Sequence, residues 1–100
     1  MSISANDIRR EKRPNGGRYV HRFPDGSEAE MIYVADAADV AIITHTYTPP
    51  QHRGQGVAAA LVGRAVADFR AEKRRVVPSC WFARQEFAAH PEWSDLLARA

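Results

Sequence analysis

The sequence predicts one α/β domain built on a mixed, mostly antiparallel sheet with a parallel crossover and flanking helices. Three observations predict it. Residues 18–48 hold three strand-like runs separated by turn chemistry, residues 57–72 carry a helical stripe, and a short β-branched run stopped by Pro78 follows that helix. A strand–helix–strand unit of this kind forms a right-handed parallel crossover. The chain has 100 residues, 45% hydrophobic and 26% charged. That is the size of one globular domain, with room for a core and little backbone to spare.

Residues 1–17 are polar and end in Pro14-Asn15-Gly16-Gly17, so they are expected to be a flexible lead-in to a domain spanning 18–100. Arg18 to Phe23 alternates polar and apolar residues, the pattern of a half-buried strand. Pro24-Asp25-Gly26-Ser27 supplies a turn, and Ala29 to Val34 returns as the second strand of an antiparallel hairpin. Asp36 to Asp39 makes the next turn. Val40 to Thr48 is β-branched and mostly apolar, which predicts a central strand covered on both faces, ended by Pro49 and Pro50.

Val57 to Glu72 is alanine-rich and lacks proline. Val57, Leu61, Ala65 and Phe69, four apart, form its buried stripe, leaving Arg64, Asp68 and Glu72 to water. Val76 and Val77 make a short strand up to Pro78. Phe82 to His90 is a second helix, and Trp93, Leu96 and Leu97 anchor a last helical turn.

Gln51-His52-Arg53-Gly54-Gln55-Gly56 joins the central strand to the long helix. The first amides of a helix have no internal partner and its dipole favours negative charge there, so this junction suits an anion. Two glycines admit close backbone approach, and Arg53 can add a charge-assisted hydrogen bond. A nucleoside triphosphate loop needs a Lys and a hydroxyl residue after the last Gly, and neither is present. A dinucleotide loop follows its strand directly in a sheet of more strands than this chain can supply. Coenzyme A remains, against the plain alternative of a glycine turn between strand and helix.

Gln51, Gly54 and Gly56, followed by Val57-Ala58, resemble the acyl-CoA signature of the GNAT N-acetyltransferases: Gln or Arg, two residues, Gly, one residue, then Gly or Ala. With His45-Thr46 and the run from Val77 to Trp93 (VPSCWFARQEFAAHPEW), the chain from Tyr19 to Leu97 is similar to small single-domain GNAT-like proteins. That resemblance implies the GNAT-like acyl-CoA N-acyltransferase fold and an acetyl-CoA-dependent N-acetyltransferase. It implies that Gln51, His52, Arg53, Gly54, Gln55, Gly56, Val57 and Ala58 bind the cofactor's pyrophosphate. It further implies that the backbone of Thr46 and Thr48 pairs with the pantetheine arm. Larger relatives carry extra helices for the acceptor and a tyrosine acid near the last helix; here the residues are Phe82 and Phe87.

Acyl transfer to an amine needs a neutral amine, a polarised carbonyl and a proton for the departing thiolate. Cys80, where the short strand meets the last helix, is the candidate nucleophile or acid, against the reading of a small core residue. His45, mid-strand, is the candidate base for Cys80 or for the amine, against a histidine satisfied by a neighbouring carbonyl. His90 is assigned a structural role at a helix end. An acyl-CoA-binding module without turnover is the competing class, and the acceptor is a small-molecule or protein amine.

The formal charge is +2, too small to point to nucleic acid. The basic residues Arg9 to Arg18 and Lys73 to Arg75 are read as solvated surface. One cysteine precludes an internal disulfide, no apolar stretch approaches a membrane span, and residues 1–17 lack a signal-peptide core, so a cytoplasmic monomer or weak homodimer is expected. No HxH, HExxH or CxxC spacing occurs, and no metal site is expected.

Overall fold

A strand made wholly of charged residues opens the sheet. The computed structural model describes residues 7–35 and 39–98. Its strands are β1 (Arg9–Arg13), β2 (Gly16–Arg22), β3 (Glu28–Ala35), β4 (Val40–Tyr47) and β5 (Arg75–Pro78), lying side by side in chain order. Neighbours from β1 to β4 are antiparallel, while β4 and β5 are parallel and joined through α1 (Val57–Ala71). The second helix is α2 (Trp81–Ala89), and short 3-10 turns cover Pro50–His52 and Pro91–Leu96. No helix among the described residues is long and apolar enough to cross a membrane.

The expected lead-in is therefore corrected over Arg9 to Arg13. This segment has no apolar alternation because ion pairs do the work that burial does elsewhere. On one face Arg18 bonds Glu11 at 2.8 Å and Glu30 at 2.9 Å, and Arg9 bonds Glu11 at 2.8 Å. On the other, the Arg10 guanidinium lies 5.3 Å from the Tyr19 ring centre and 5.5 Å from that of Tyr33. It also donates to the Tyr33 hydroxyl and to Glu72. At Gly17 a β-carbon would collide with the Glu11 carbonyl and the Tyr33 hydroxyl, so only glycine lets β1 and β2 close here.

The stripe on α1 behaves as its spacing predicts. Val57, Leu61, Ala65 and Phe69, with Val62 and Val66, are buried against Tyr19, Met31, Tyr33, Ala41 and Ile43 of the sheet. Ala83 and Phe87 of α2 and Leu96 join the same cluster. His90 stacks on Trp93 at 4.0 Å, and Trp93 meets Phe87 edge-on at 5.2 Å, which fixes the chain after α2. Leu97 pairs beside Val76.

Two details differ from expectation. Both helices contribute to one core on one sheet face, so β4 is covered on one side; Ile42 is half-buried on the other, beside Val34, 44% exposed. A β-branched run fits a one-sided strand as well as a two-sided one. Asp68 and Glu72, expected to face water, accept from the Tyr19 hydroxyl and from Arg10, and Arg64 bonds Asp68 and the Ile8 carbonyl. Of the turn expected at 36–39, residues 36–38 lie outside the described residues.

Arg10 joins β1 to the core, with a side chain only 12% exposed. Arg10→Ala should lower stability by about 2 kcal/mol through lost cation–π and ion-pair contacts. Arg10→Lys should restore less than half, since ammonium lacks the planar fork. Urea denaturation measures both; an unchanged midpoint for Arg10→Ala would show that β1 is a passenger on the sheet.

Candidate active site

Pro78, which has no N–H to give to the ladder, occupies the last register position of β5, opposite Ile43. Beyond it the Ser79 and Cys80 amides both donate to the Ile43 carbonyl, at 3.1 and 3.0 Å. Pairing with β5 stops there, and β4 continues alone on that side through Tyr47. On its other side β4 carries an irregularity: Ile32 faces His45 while Tyr33 faces Ile43, which leaves Thr44 as an extra residue. The two strands thus part, with a bulge at the point of parting.

The parting sets the faces of the residues beyond it. Thr46 pairs with Met31, whose side chain is fully buried on the helix face, and His45 pairs with Ile32 on the open face. The Thr46 hydroxyl comes within 3.5 Å of Cys80 Sγ. His45 is exposed and directed to the opposite side. A direct couple in which His45 activates Cys80 is therefore not formed, because alternation puts the sheet between them.

Cys80 is the N-cap of α2, in extended conformation. Burial disfavours its thiolate, yet hydrogen bonds from the Thr46 hydroxyl and from the Ala83 and Phe82 amides outweigh that cost and hold the thiol below its ordinary range. Half-buried and packed against the core, Cys80 is also a small core residue.

At the head of α1 the backbone is bare. Gly54 and Gly56 adopt left-handed φ of +83° and +77°, and Gly56 caps the helix without any side-chain hydrogen bond. The first helical bond runs from the Ala60 amide to the Gly56 carbonyl, so the amides of Val57, Ala58 and Ala59 precede the ladder. The 3-10 turn at Pro50–His52 shapes the approach, and Arg53 Nε donates to the Thr48 carbonyl at 3.0 Å.

These elements enclose a cleft of about 520 Å³. Thr46 and Thr48 line it from β4 and the following loop, His52, Arg53, Gly54 and Gly56 from the junction, and Val57 and Ala58 from α1. Gln51, Gln55, His45 and Cys80 are not part of its wall. Gln51 instead donates to Asp25 Oδ2 at 3.4 Å. Cys80 stands behind Thr46 and beside Trp81 and Phe82, which do line the cleft. Phe87 is in the core.

Sequence reasoning missed Tyr47, Ala59, Trp81 and Glu86 in this wall, and Asp25 behind it. The one sequence signal for Trp81 was its place beside the candidate nucleophile; in the fold it is 66% exposed. Asp25 carried none, being ordinary turn chemistry in the chain.

Residues 18–96 match the family described as GCN5-related N-acetyl-transferase. Among solved structures, the solution NMR structure of a GCN5-like candidate N-acetyltransferase from Staphylococcus aureus superposes with a TM-score of 0.70. It is 20% identical and covers 94% of this chain and 91% of its own, a likeness of fold. No curated protein matches the chain.

The environment of Cys80 yields a pH prediction. A depressed pKa leaves more thiolate at neutral pH, so removing a hydrogen-bond donor must raise the pKa and slow alkylation. Thr46→Val should cut the iodoacetamide rate near pH 7 by about fivefold, the equivalent of one hydrogen bond, and move the midpoint of the pH–rate curve upward. An unchanged midpoint would remove Thr46 from the thiol's environment.

Proposed function

Because the chain belongs to the GCN5-related N-acetyltransferase family, a family of acyltransferases, we propose that it transfers an acetyl group from acetyl-CoA to an amine with Cys80 taking part. The observation that carries this reading is the cleft itself. Unpartnered α1 amides stand at one end, and a hydrogen-bonded thiol lies behind the wall at the parted strands.

The residues present fit the cofactor. Its diphosphate is assigned to the amides of Gly54 to Ala58, with Arg53 and His52 adding polar contacts, since helix N-termini bind anions without further help. The pantetheine arm is assigned to the stretch of β4 past Ile43 that β5 leaves unpaired, around Thr46 and Thr48. Gln51 belongs to this set through its place in the loop; its side chain supports the turn at Asp25. Gln55 contributes through the backbone path between the two glycines. The cofactor supplies an acyl group activated as a thioester, and the remaining tasks fall to the chain.

Two of those tasks lie on opposite faces of the sheet. Cys80, with its sulfur charge stabilised by Thr46 and two amides, is suited to act as a nucleophile more than as a proton donor. Its thiolate would take the acetyl group as S-acetylcysteine while the coenzyme A thiolate leaves and is protonated from solvent. The amine would then take the acetyl group and free the Cys80 thiolate. His45, exposed on the open face, would receive a proton from an incoming amine that reaches the parted strands from that side. Such an arrangement separates acceptor from cofactor without the extra helices of larger relatives. The work is assigned to the cytoplasm.

Calorimetric titration with acetyl-CoA followed by a CoA-release assay over a panel of primary amines tests the function. Binding and amine-dependent release are expected; binding without release from any amine would favour a non-catalytic acyl-CoA module. Cys80→Ala should abolish an acetyl adduct detectable by mass spectrometry and lower turnover by a factor of roughly 100 or more. Full turnover by Cys80→Ala with no adduct in the wild type would eliminate the covalent route. His45→Gln should lower amine-dependent turnover and change the shape of the pH–rate profile, and an unaltered profile would remove His45 from the mechanism.

A further inference from the structure

The turn between β2 and β3 packs against the junction that forms the anion end of the cleft. At its tip Asp25 is saturated with donors. Oδ1 accepts from the Ser27 amide at 2.9 Å and the Ser27 hydroxyl at 2.6 Å, while Oδ2 accepts from His52 Nε2 at 2.8 Å and Gln51 Nε2 at 3.4 Å. The His52 ring lies flat on the buried Phe23 ring, centroids 3.7 Å apart and planes within 6°. The His52 side chain is 17% exposed and lines the cleft.

The Ser27 hydrogen bonds, followed by that of His52, hold the Asp25 carboxyl far below the usual carboxylate range. An ionised carboxylate only accepts hydrogen bonds, so Nε2 of His52 carries a hydrogen and the charge of the ring is decided at Nδ1. Few other charges face this ring. Arg53 comes from its own loop, Glu86 from α2 across the cleft, and His21 from behind, edge-on to Phe23 at 4.7 Å. The wall that α1 presents is Val57, Ala58 and Ala59, without a charged side chain.

We propose that Asp25 is a positioning residue for ligand binding: it fixes His52 so that the imidazole takes up a proton at Nδ1 as a diphosphate enters the cleft. Binding of coenzyme A is then proton-linked, which rests on reading the cleft as the coenzyme A site. The imidazolium adds positive charge to a wall whose helix amides already favour anions, and Asp25, hydrogen-bonded to Nε2, holds the ring in place before and after that proton arrives. The coupling is reciprocal: a proton that tightens the ligand is itself tightened by the same factor.

Titration of the full chain with coenzyme A in two buffers of different ionisation enthalpy, between about pH 6 and 8, tests the proposal. The free ligand's phosphates titrate identically with every variant, so the difference between wild type and His52→Gln reports the proton linkage that depends on His52, on the ring itself or on the phosphate it faces. Wild type should take up more protons than His52→Gln, and its affinity should climb more steeply as the pH falls. Asp25→Asn and His52→Gln should each weaken binding by about fivefold near pH 6.5, and the double variant should be no weaker than either single one.

His52→Gln leaves the Asp25–Ser27 bonds in place, so a collapsed turn cannot imitate the result. Equal proton uptake by wild type and His52→Gln, with coenzyme A still bound, overturns the proposal and leaves the cleft assignment standing. No binding of coenzyme A to the wild type overturns both.

Discussion

The carbonyl of Ile43 receives two amides, those of Ser79 and Cys80, and the parting of β4 from β5 begins there. A parallel pair carries regular, slanted hydrogen bonds as long as both strands supply donors. Pro78 supplies none, and the next two residues spend theirs on one acceptor. Past that point β4 has a backbone edge with no β5 partner, flanked by the N-termini of both helices. The cleft exists because the sheet fails at a defined residue.

The two helices serve this opening in different ways. Burial of the Val57–Phe69 stripe seats α1, and seating α1 leaves its first amides at the rim with glycine instead of a side-chain cap. In α2 the orphan amides of Phe82 and Ala83 are turned to the Cys80 sulfur. One feature common to all helices, unsatisfied amides in the first turn, therefore provides an anion end and a thiolate-stabilising end within a domain of 100 residues. The polar half of the fold is equally economical: the charges of β1 pair with Arg18, Glu28 and Glu72 and hold an edge strand that buries little hydrocarbon of its own.

Periodicity made β2, β3 and α1 legible to within a residue or two, because burial of one face dictates their alternation. The strand–loop–helix order likewise located the rim of the cleft, since glycines and the helix start are local features. What stayed hidden depends on distant partners. Nothing within Arg9-Arg10-Glu11-Lys12-Arg13 marks a strand; its partners are Arg18, Tyr33 and Glu72. The face on which His45 lies is decided by the bulge at Thr44, and a one-residue slip moves every later side chain across the sheet. Asp25 meets His52 only once the hairpin folds against the loop. The basic runs, read as solvated, are largely engaged: Arg10 and Arg74 both bond Glu72, Arg18 bonds Glu11, and Arg75 reaches the Asp95 carbonyl.

The central claim is that the bare amides at the head of α1 hold the anionic part of the acyl donor. Amide chemical-shift mapping by NMR during titration with coenzyme A addresses it residue by residue. The account predicts the largest shifts at residues 53–60 and along β4 from Thr44 to Tyr47, with the far end of α1 silent. Shifts centred instead on the hollow between β1 and the end of α1, lined by Lys12, Arg13 and Arg74, would contradict it.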